Sequence, residues 1–397
     1  MRVALVAMLR EHGLIRTEPV AAAISEIPRH VFLPDFSLDE AYQDDAVVTK
    51  FDDKGIAISA ASQPAVVAMM LEQLDVQPGH RVMEIGAGTG YNAALLGYLT
   101  GPTGHVTTID VDADLVEGAE AHLASAGIEN VTAVLADGAL GHPDGAPYDR
   151  IIATVGAGDV PPTWLEQLRP DGIVVLPLRL RGSVSCSIAF ERDRDGTWQS
   201  SSTEMCMFMP LRGIADDARR VIALTEDELV TVQIHQDQQV DPEGLARALD
   251  HSATEVFTGV VFRSGEFLAS LDLWLACALP SGLSRMHARG PAVESGLVRP
   301  QFFWGGMTAV EDSSIAYLTL RGAEVSANRQ VHEVSVIGHG PHGGDLAERT
   351  AEQIRTWDRE HRSRFPTFRI AQGADRERLT GQFVIDKPAT RIAVTWS

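Results

Sequence analysis

Apolar residues fall at helical spacing over residues 3–12 and again over 17–27, where Pro28 ends the second run. Residues 64–74 repeat the pattern, with Pro64 suited to a first helical turn and Ser62 a candidate N-cap. From Arg81 the period changes. Apolar runs at 81–86, 105–110, 131–135, 149–155 and 172–178 read as strands, and the intervals between them as helices. This alternation predicts a parallel, doubly wound α/β sheet, because parallel neighbours need a crossover and the usual crossover is a helix. Ligands of such sheets bind at the carboxyl ends of the strands.

After about residue 210 the rhythm changes again. Segments 219–235 and 255–262 are strand-like, 242–250 is helical, and 266–279 is an apolar helix. Strands follow at 301–308, 315–321 and 331–337, then a charged amphipathic helix at 344–362 and late strands at 383–386 and 391–396. The pattern is that of an α+β domain. A chain of 397 residues exceeds one typical core, so two domains are expected, at 1–212 and 213–397. With no internal repeat and no low-complexity linker, the two are expected to pack together.

The net charge of −21 argues against nucleic acid as the main partner, since phosphate binding needs clustered positive charge. Residues 1–180 carry 25 acidic against 10 basic groups, and residues 181–397 carry 29 against 23, nearly all arginine. Arginine suits bidentate recognition of carboxylates, so the second half is open to an acidic peptide, with Arg285 and Arg289 as candidates. No signal sequence or membrane-length apolar run is expected to direct the chain to a membrane. Cys186, Cys206 and Cys277 form no paired motif and read as reduced, buried thiols of a cytoplasmic protein. His339 and His342 lie in a glycine-rich loop without ligand spacing, so no metal is expected. Trp304, in Gln-Phe-Phe-Trp-Gly-Gly, reads as core.

The chemistry concentrates where the first predicted strand ends. Val82 to Gly90 reads Val-Met-Glu-Ile-Gly-Ala-Gly-Thr-Gly, an apolar strand entering the alternating glycines Gly86, Gly88 and Gly90. The spacing is not the G-x-G-x-x-G of a dinucleotide site. It resembles motif I of the S-adenosylmethionine-dependent methyltransferases. Such a ligand needs an acid for its two ribose hydroxyls, and Asp110 ends the second strand, twenty residues after Gly90. It needs a polar group at the adenine, and Asp137 follows the third strand. Glu84 is placed to order the glycine loop.

Further blocks narrow the resemblance. Ile-Pro-Arg-His-Val-Phe-Leu-Pro (27–34), Ala-Tyr-Gln-Asp (41–44), Ser-Gln-Pro (62–64), Glu-Ile-Gly-Ala-Gly-Thr-Gly-Tyr-Asn-Ala-Ala (84–94), Asp-Gly (137–138) and Ala-Pro-Tyr-Asp-Arg-Ile-Ile (146–152) stand in colinear order. Together they resemble the protein-L-isoaspartate O-methyltransferase family over roughly residues 1–180. The resemblance implies a Rossmann-like fold and methyl transfer from S-adenosylmethionine to a carboxylate of an aspartyl or isoaspartyl residue, with S-adenosylhomocysteine as product. It implies a cofactor site at Glu84, Gly86, Ala87, Gly88, Gly90, Tyr91, Asp110, Val111, Asp137 and Gly138. In the family a serine before the Pro-initiated helix contacts the substrate carboxylate. Here the segment reads Gly-Ile-Ala-Ile-Ser-Ala-Ala-Ser-Gln-Pro (55–64), three residues longer than the family's and without its Gly-Gln-Thr turn. Ser62 aligns without a gap to the following helix, and Ser59 is the alternative.

The long C-terminal half and Met-Pro-Leu-Arg-Gly (209–213) resemble a branch that tailors ribosomally made peptides such as lanthipeptides and graspetides. That branch implies methylation of an ordinary Asp in a cyclised precursor, giving an aspartimide or isoaspartate. Repair of isoaspartyl proteins is the alternative within the same chemistry. A non-catalytic peptide-binding protein and a small-molecule carboxyl methyltransferase are the alternatives outside it. The sequence leaves the oligomeric state open.

Overall fold

Val82, Met83 and Ile85 of the strand Arg81–Ile85 are all buried, so this strand is covered on both faces. It lies in a ten-stranded sheet of the computed structural model, which describes residues 1–263, 266, 268–324 and 330–396. Five strands pair in parallel, in the order Leu168–Arg179, Tyr148–Ala153, Arg81–Ile85, His105–Asp110, Val131–Leu135. Helices Arg2–Glu11, Glu18–Glu26, Pro64–Leu74 and Tyr91–Thr100 pack over one face, onto Val82, Val106, Ile152 and Val175. This is the doubly wound, Rossmann-like α/β arrangement that the strand–helix alternation predicts. No helix among the described residues is long and apolar enough to cross a membrane.

Beyond Leu168–Arg179 the sheet continues antiparallel through Ser185–Arg192, Trp198–Met205, Pro366–Gln372, Thr390–Trp396 and Phe383–Asp386. Residues 366–396 thus complete a sheet begun at residue 81, and a cut at 212/213 runs through one shared sheet. The other face of that sheet has a core in common with the second half, where Met83, Trp164 and Phe190 join Trp274, Trp357 and Phe368. The remaining strands form a seven-stranded antiparallel sheet, ordered Arg219–Ala223, Val230–His235, Ser284–Ala288, Gly305–Glu311, Ser314–Glu324, Gln330–His339, Thr254–Arg263. Helix Gly343–Glu360 buries Leu346, Ala351, Ile354 and Trp357 beneath it.

Several elements differ from the sequence pattern. The strand-like stretch 219–235 is a hairpin, broken near Glu228, whose φ is +56°. The helical stretch 242–250 is two short turns, Pro242–Leu245 and Ala248–Asp250. The apolar helix runs Ala269–Ala278, and position 267 of the expected 266–279 span lies outside the described residues. The strand expected at 301–308 begins only at Gly305, so Trp304 is half-buried and stacks on Phe302 instead of entering the core. Ser185–Arg192, Trp198–Met205, Ser284–Ala288 and Pro366–Gln372 had no counterpart in the pattern. Trp-Gln-Ser-Ser-Ser-Thr-Glu-Met is too polar to show an apolar period, because most of its side chains are partly or fully exposed.

Candidate active site

The glycine turn is shaped by two close approaches. Gly86 and Gly90 have φ of +100° and +84°, values at which a side chain is strained. A Cβ at Gly86 would stand 2.9 Å from Thr154 Oγ1 and Val155 Cγ1, and one at Gly90 3.2 Å from Ala119 Cβ. The turn is thereby drawn in against the next strand's end and against helix Ala113–Ser125. Its amides are held at strand His105–Asp110: Gly86 and Ala87 donate to the Ile109 carbonyl, and Gly88 donates to Asp110 Oδ2 at 3.1 Å.

Glu84 lies beneath this turn, fully buried. It accepts from Asn92 Nδ2 at 2.7 Å and Thr108 Oγ1 at 2.6 Å, tying the strand to the following helix and to its neighbour strand. Burial pushes its carboxyl up to about 7, against the pull of those two donors.

Above the turn opens a cavity of about 260 Å³. Gly86, Ala87, Gly88, Tyr91, Asp110, Val111, Gly138, Ser59 and Ser62 all line it. Glu84, Gly90 and Asp137 stand outside that lining. Gly90 packs against Ala119, and Asp137 accepts from Ala139 N at 2.9 Å and from Ile214 N at 2.8 Å. Asp137 thus fastens the link to the second half, while its neighbour Gly138 faces the cavity.

Two segments cover the opening. One is a hairpin, Val47–Phe51 with Ala57–Ala61, that the sequence pattern did not disclose. Lys50 at its edge contacts Asp112 at 2.9 Å and Asp114 at 2.6 Å. The other is the strap 207–212, pinned by Gly156 N donating to the Met209 carbonyl and Leu211 N donating to the Gly156 carbonyl. Arg212 reaches Asp112 at 2.9 Å and Asp110 at 3.8 Å. The Arg212 hydrogen bond is the main reason the Asp112 carboxyl lies below the usual carboxylate range.

The serines divide the roof between them. Ser59 is buried and accepts from Thr49 Oγ1 at 3.2 Å, and its hydroxyl would lie 3.9 Å from a Cβ at Gly88. Ser62 does not cap helix Pro64–Leu74, as its position suggested. Gln63 is the N-cap, and Asp44 serves the helix end instead, accepting from Ala65 N at 2.8 Å and Gln63 Nε2 at 3.0 Å. The Ser62 carbonyl accepts from Arg29 Nη2 at 2.9 Å. Arg29 itself, fully buried, lies 5.0 Å over the Tyr91 ring and also lines the cavity. Arg29, Asp44, Lys50 and Arg212 were not legible as site residues. Arg29 sits in the Pro-Arg-His-Val-Phe-Leu-Pro block, whose departure from any generic structural pattern was its one signal.

Chemically, the arrangement offers a close-approach backbone turn, an acid suited to a diol, and two hydroxyls facing them across one cavity. A family model described as protein-L-isoaspartate(D-aspartate) O-methyltransferase matches residues 1–215. A protein-L-isoaspartate O-methyltransferase of Methanopyrus kandleri is 40% identical over 210 residues, covering 53% of this chain and 90% of that one. The enzyme of the same name from Methanosarcina mazei is 41% identical over 202 residues, 51% of this chain and 79% of that one. A solved structure titled protein-L-isoaspartate O-methyltransferase aligns over 93% of this chain and 96% of its own, with a TM-score of 0.51 and 22% identity. Its fold therefore has a counterpart for both halves of this one.

Proposed function

This chain belongs to the protein-L-isoaspartate(D-aspartate) O-methyltransferase family, and from that premise we propose that it methylates the carboxylate of an isoaspartyl or aspartyl residue within a polypeptide. It is an S-adenosylmethionine-dependent carboxyl O-methyltransferase. The cavity fits that cofactor: the turn around Gly86 has no room for a side chain, and the Asp110 carboxylate lies in the wall beside Val111. Bound there, the cofactor would supply an electrophilic methyl group, held by Gly86, Ala87, Gly88, Asp110, Val111 and Gly138.

The carrying observation is that one cavity joins this turn to Ser59 and Ser62. A carboxylate with an ordinary pKa near ~4 is already ionised at neutral pH, so no general base is required. The remaining task is to hold one oxygen in line with the methyl group, a contribution of up to ~7–11 kcal/mol in well-oriented reactions. Ser62, free of any capping duty, is the hydroxyl we assign to the substrate carboxylate, and Ser59 lies nearer the glycine turn.

The test is S-adenosylhomocysteine release with two linear peptides that differ only in carrying isoAsp or Asp, followed by intact mass for the methyl ester and its dehydrated ring. Turnover on isoAsp supports an isoaspartyl acceptor, and absence of turnover with both peptides would overturn it. A second reading, tailoring of an ordinary Asp in a ribosomally made peptide, is favoured by the segment 55–64, three residues longer than the family's and without its Gly-Gln-Thr turn, whose residues 58–63 line the cavity. The added C-terminal residues do not separate the two readings, since the solved neighbour carries a comparable half. Turnover confined to a cyclised Asp peptide would favour tailoring.

A further inference from the structure

Arg219 pairs with His235 and Thr231 with His287, so strand alternation puts Arg219, Gln233, His235, Arg285 and His287 on one face of the seven-stranded sheet. The opposite face carries Val230, Val232, Ile234 and Met286 into the core. Arg219 is exposed and Arg285 partly buried, its guanidinium 5.7 Å from the Trp304 ring. Arg285 Nε is enclosed without a partner, while Nη1 and Nη2 stay open to solvent. Among the described residues no carboxylate forms an ion pair with either arginine. Besides burial, the influence that lowers Arg285's hold on its proton is the charge of Arg219. Asp217, two residues before Arg219, is committed to Arg179 and His235.

This face is tied to the cavity by the chain itself. Arg219 lies seven residues after Arg212, where the strap over the cavity ends, so at most about 25 Å separates them. Between them the chain follows the carboxyl ends of the parallel strands, where Ile214 N donates to Asp137 and Asp217 stands against Gly158. We propose that this face holds an acidic segment of the polypeptide substrate while another residue of that polypeptide is methylated in the cavity. The inference rests on the acceptor reading above, which makes the substrate a chain able to reach both places. Arginines suit carboxylate side chains, and the Trp304 ring gives the planar Arg285 group a surface to lie on. An acidic segment about seven extended residues from the methylated one spans the distance.

Fluorescence anisotropy tests this with enzyme saturated in S-adenosylhomocysteine. Two labelled isoAsp peptides of equal length carry a run of Glu, or the same run as Gln, about seven residues to either side of the isoAsp. Wild type should bind the Glu peptide about 5–30-fold more tightly at low salt, and Arg219→Gln combined with Arg285→Gln should abolish the difference. Arg220→Gln controls for net charge: Arg220 pairs with Ile234, on the other face, and its loss should leave most of the preference. A wild-type preference below about twofold would overturn the proposal, as would an equal loss in Arg220→Gln and the double variant. Should the double variant fail to melt cooperatively, Arg219→Gln is read alone in the same comparison. A single-stranded oligonucleotide that displaces the Glu peptide at equal concentration would give the face to phosphate chains and overturn it. So would a dimer that the double variant splits, which would give the face to a second copy. Preferential binding without turnover of either peptide would sink the acceptor proposed above and leave this contact standing.

Discussion

At the seam between the sheets, Arg179 lies against Asp217 and Asp237, Asp159 accepts from Ala389 N and Thr390, and Lys387 donates to the Leu180 carbonyl at 2.7 Å. Every one of these charges is answered by another part of the same chain, and the partners come from residues 159–237 and 387–390. At the glycine turn the same kinds of group meet an opening: Arg29 Nη1 has no hydrogen-bond partner, and Asp110, which accepts from the Gly88 and Asp112 amides, lines the cavity. Both regions bury charge at comparable depth, yet only one leaves a place for something else. Burial of a charge is therefore no marker of a site by itself; incompleteness beside a cavity is.

The contrast can be broken from the seam side first. Arg179→Met should cost up to about 3 kcal/mol, because it leaves the largely buried Asp217 with His235 alone and takes the arginine from the partly exposed Asp237. Denaturant melts should show that loss while S-adenosylhomocysteine binding per folded molecule stays the same. Asp110→Ala should do the reverse, lowering S-adenosylhomocysteine affinity about 10–100-fold with little change in the melt. An equal loss of stability in the two variants would erase the distinction between the regions.

The carboxylates sharpen the contrast through pH. Burial pushes Asp217 up, but His235 and Arg179 outweigh it and hold its carboxyl well below 3.8, so it stabilises the fold above that value and is lost as pH falls through its folded pKa. Glu84 runs the other way. Raised by burial from 4.5 to about 7, it binds its proton more tightly folded than unfolded, so stability falls as pH rises across that window. Glu84→Gln should remove that decline, gaining about 1–2 kcal/mol on wild type between pH 4.5 and 7 in paired urea melts. The smallest effect is Ser62→Ala, expected to slow turnover about five- to tenfold with cofactor affinity intact. A silent Ser62→Ala beside a damaging Ser59→Ala would move the substrate contact three residues back, onto the strand Ala57–Ala61 and closer to the glycine turn.

What could be read from the chain follows from range. Strands 81–86 to 172–178, the glycine turn and Asp110 are legible because each is a local pattern, and a parallel sheet orders its strand ends by topology. The strand partners of Thr390–Trp396 were not legible: a period of two says strand, and says nothing of which sheet will take it. Arg29 was hidden for a related reason. Its partners lie 12 to 33 residues away, and only the folded chain shows that none of them is a carboxylate. Asp44 likewise caps a helix twenty residues ahead, a duty that local spacing gave to Ser62.

The shared sheet has a consequence for how the molecule is made. Strand Trp198–Met205 meets Pro366–Gln372 along one side, and on a ribosome it emerges more than a hundred residues before that partner. During that interval its backbone is an unpaired edge, open to strand addition from any neighbouring chain. The family-matching segment 1–215, cut free, would keep that edge for good. In the folded chain Arg369 and Ile370 pair with that edge at Gln199 and Trp198, where the strand begins.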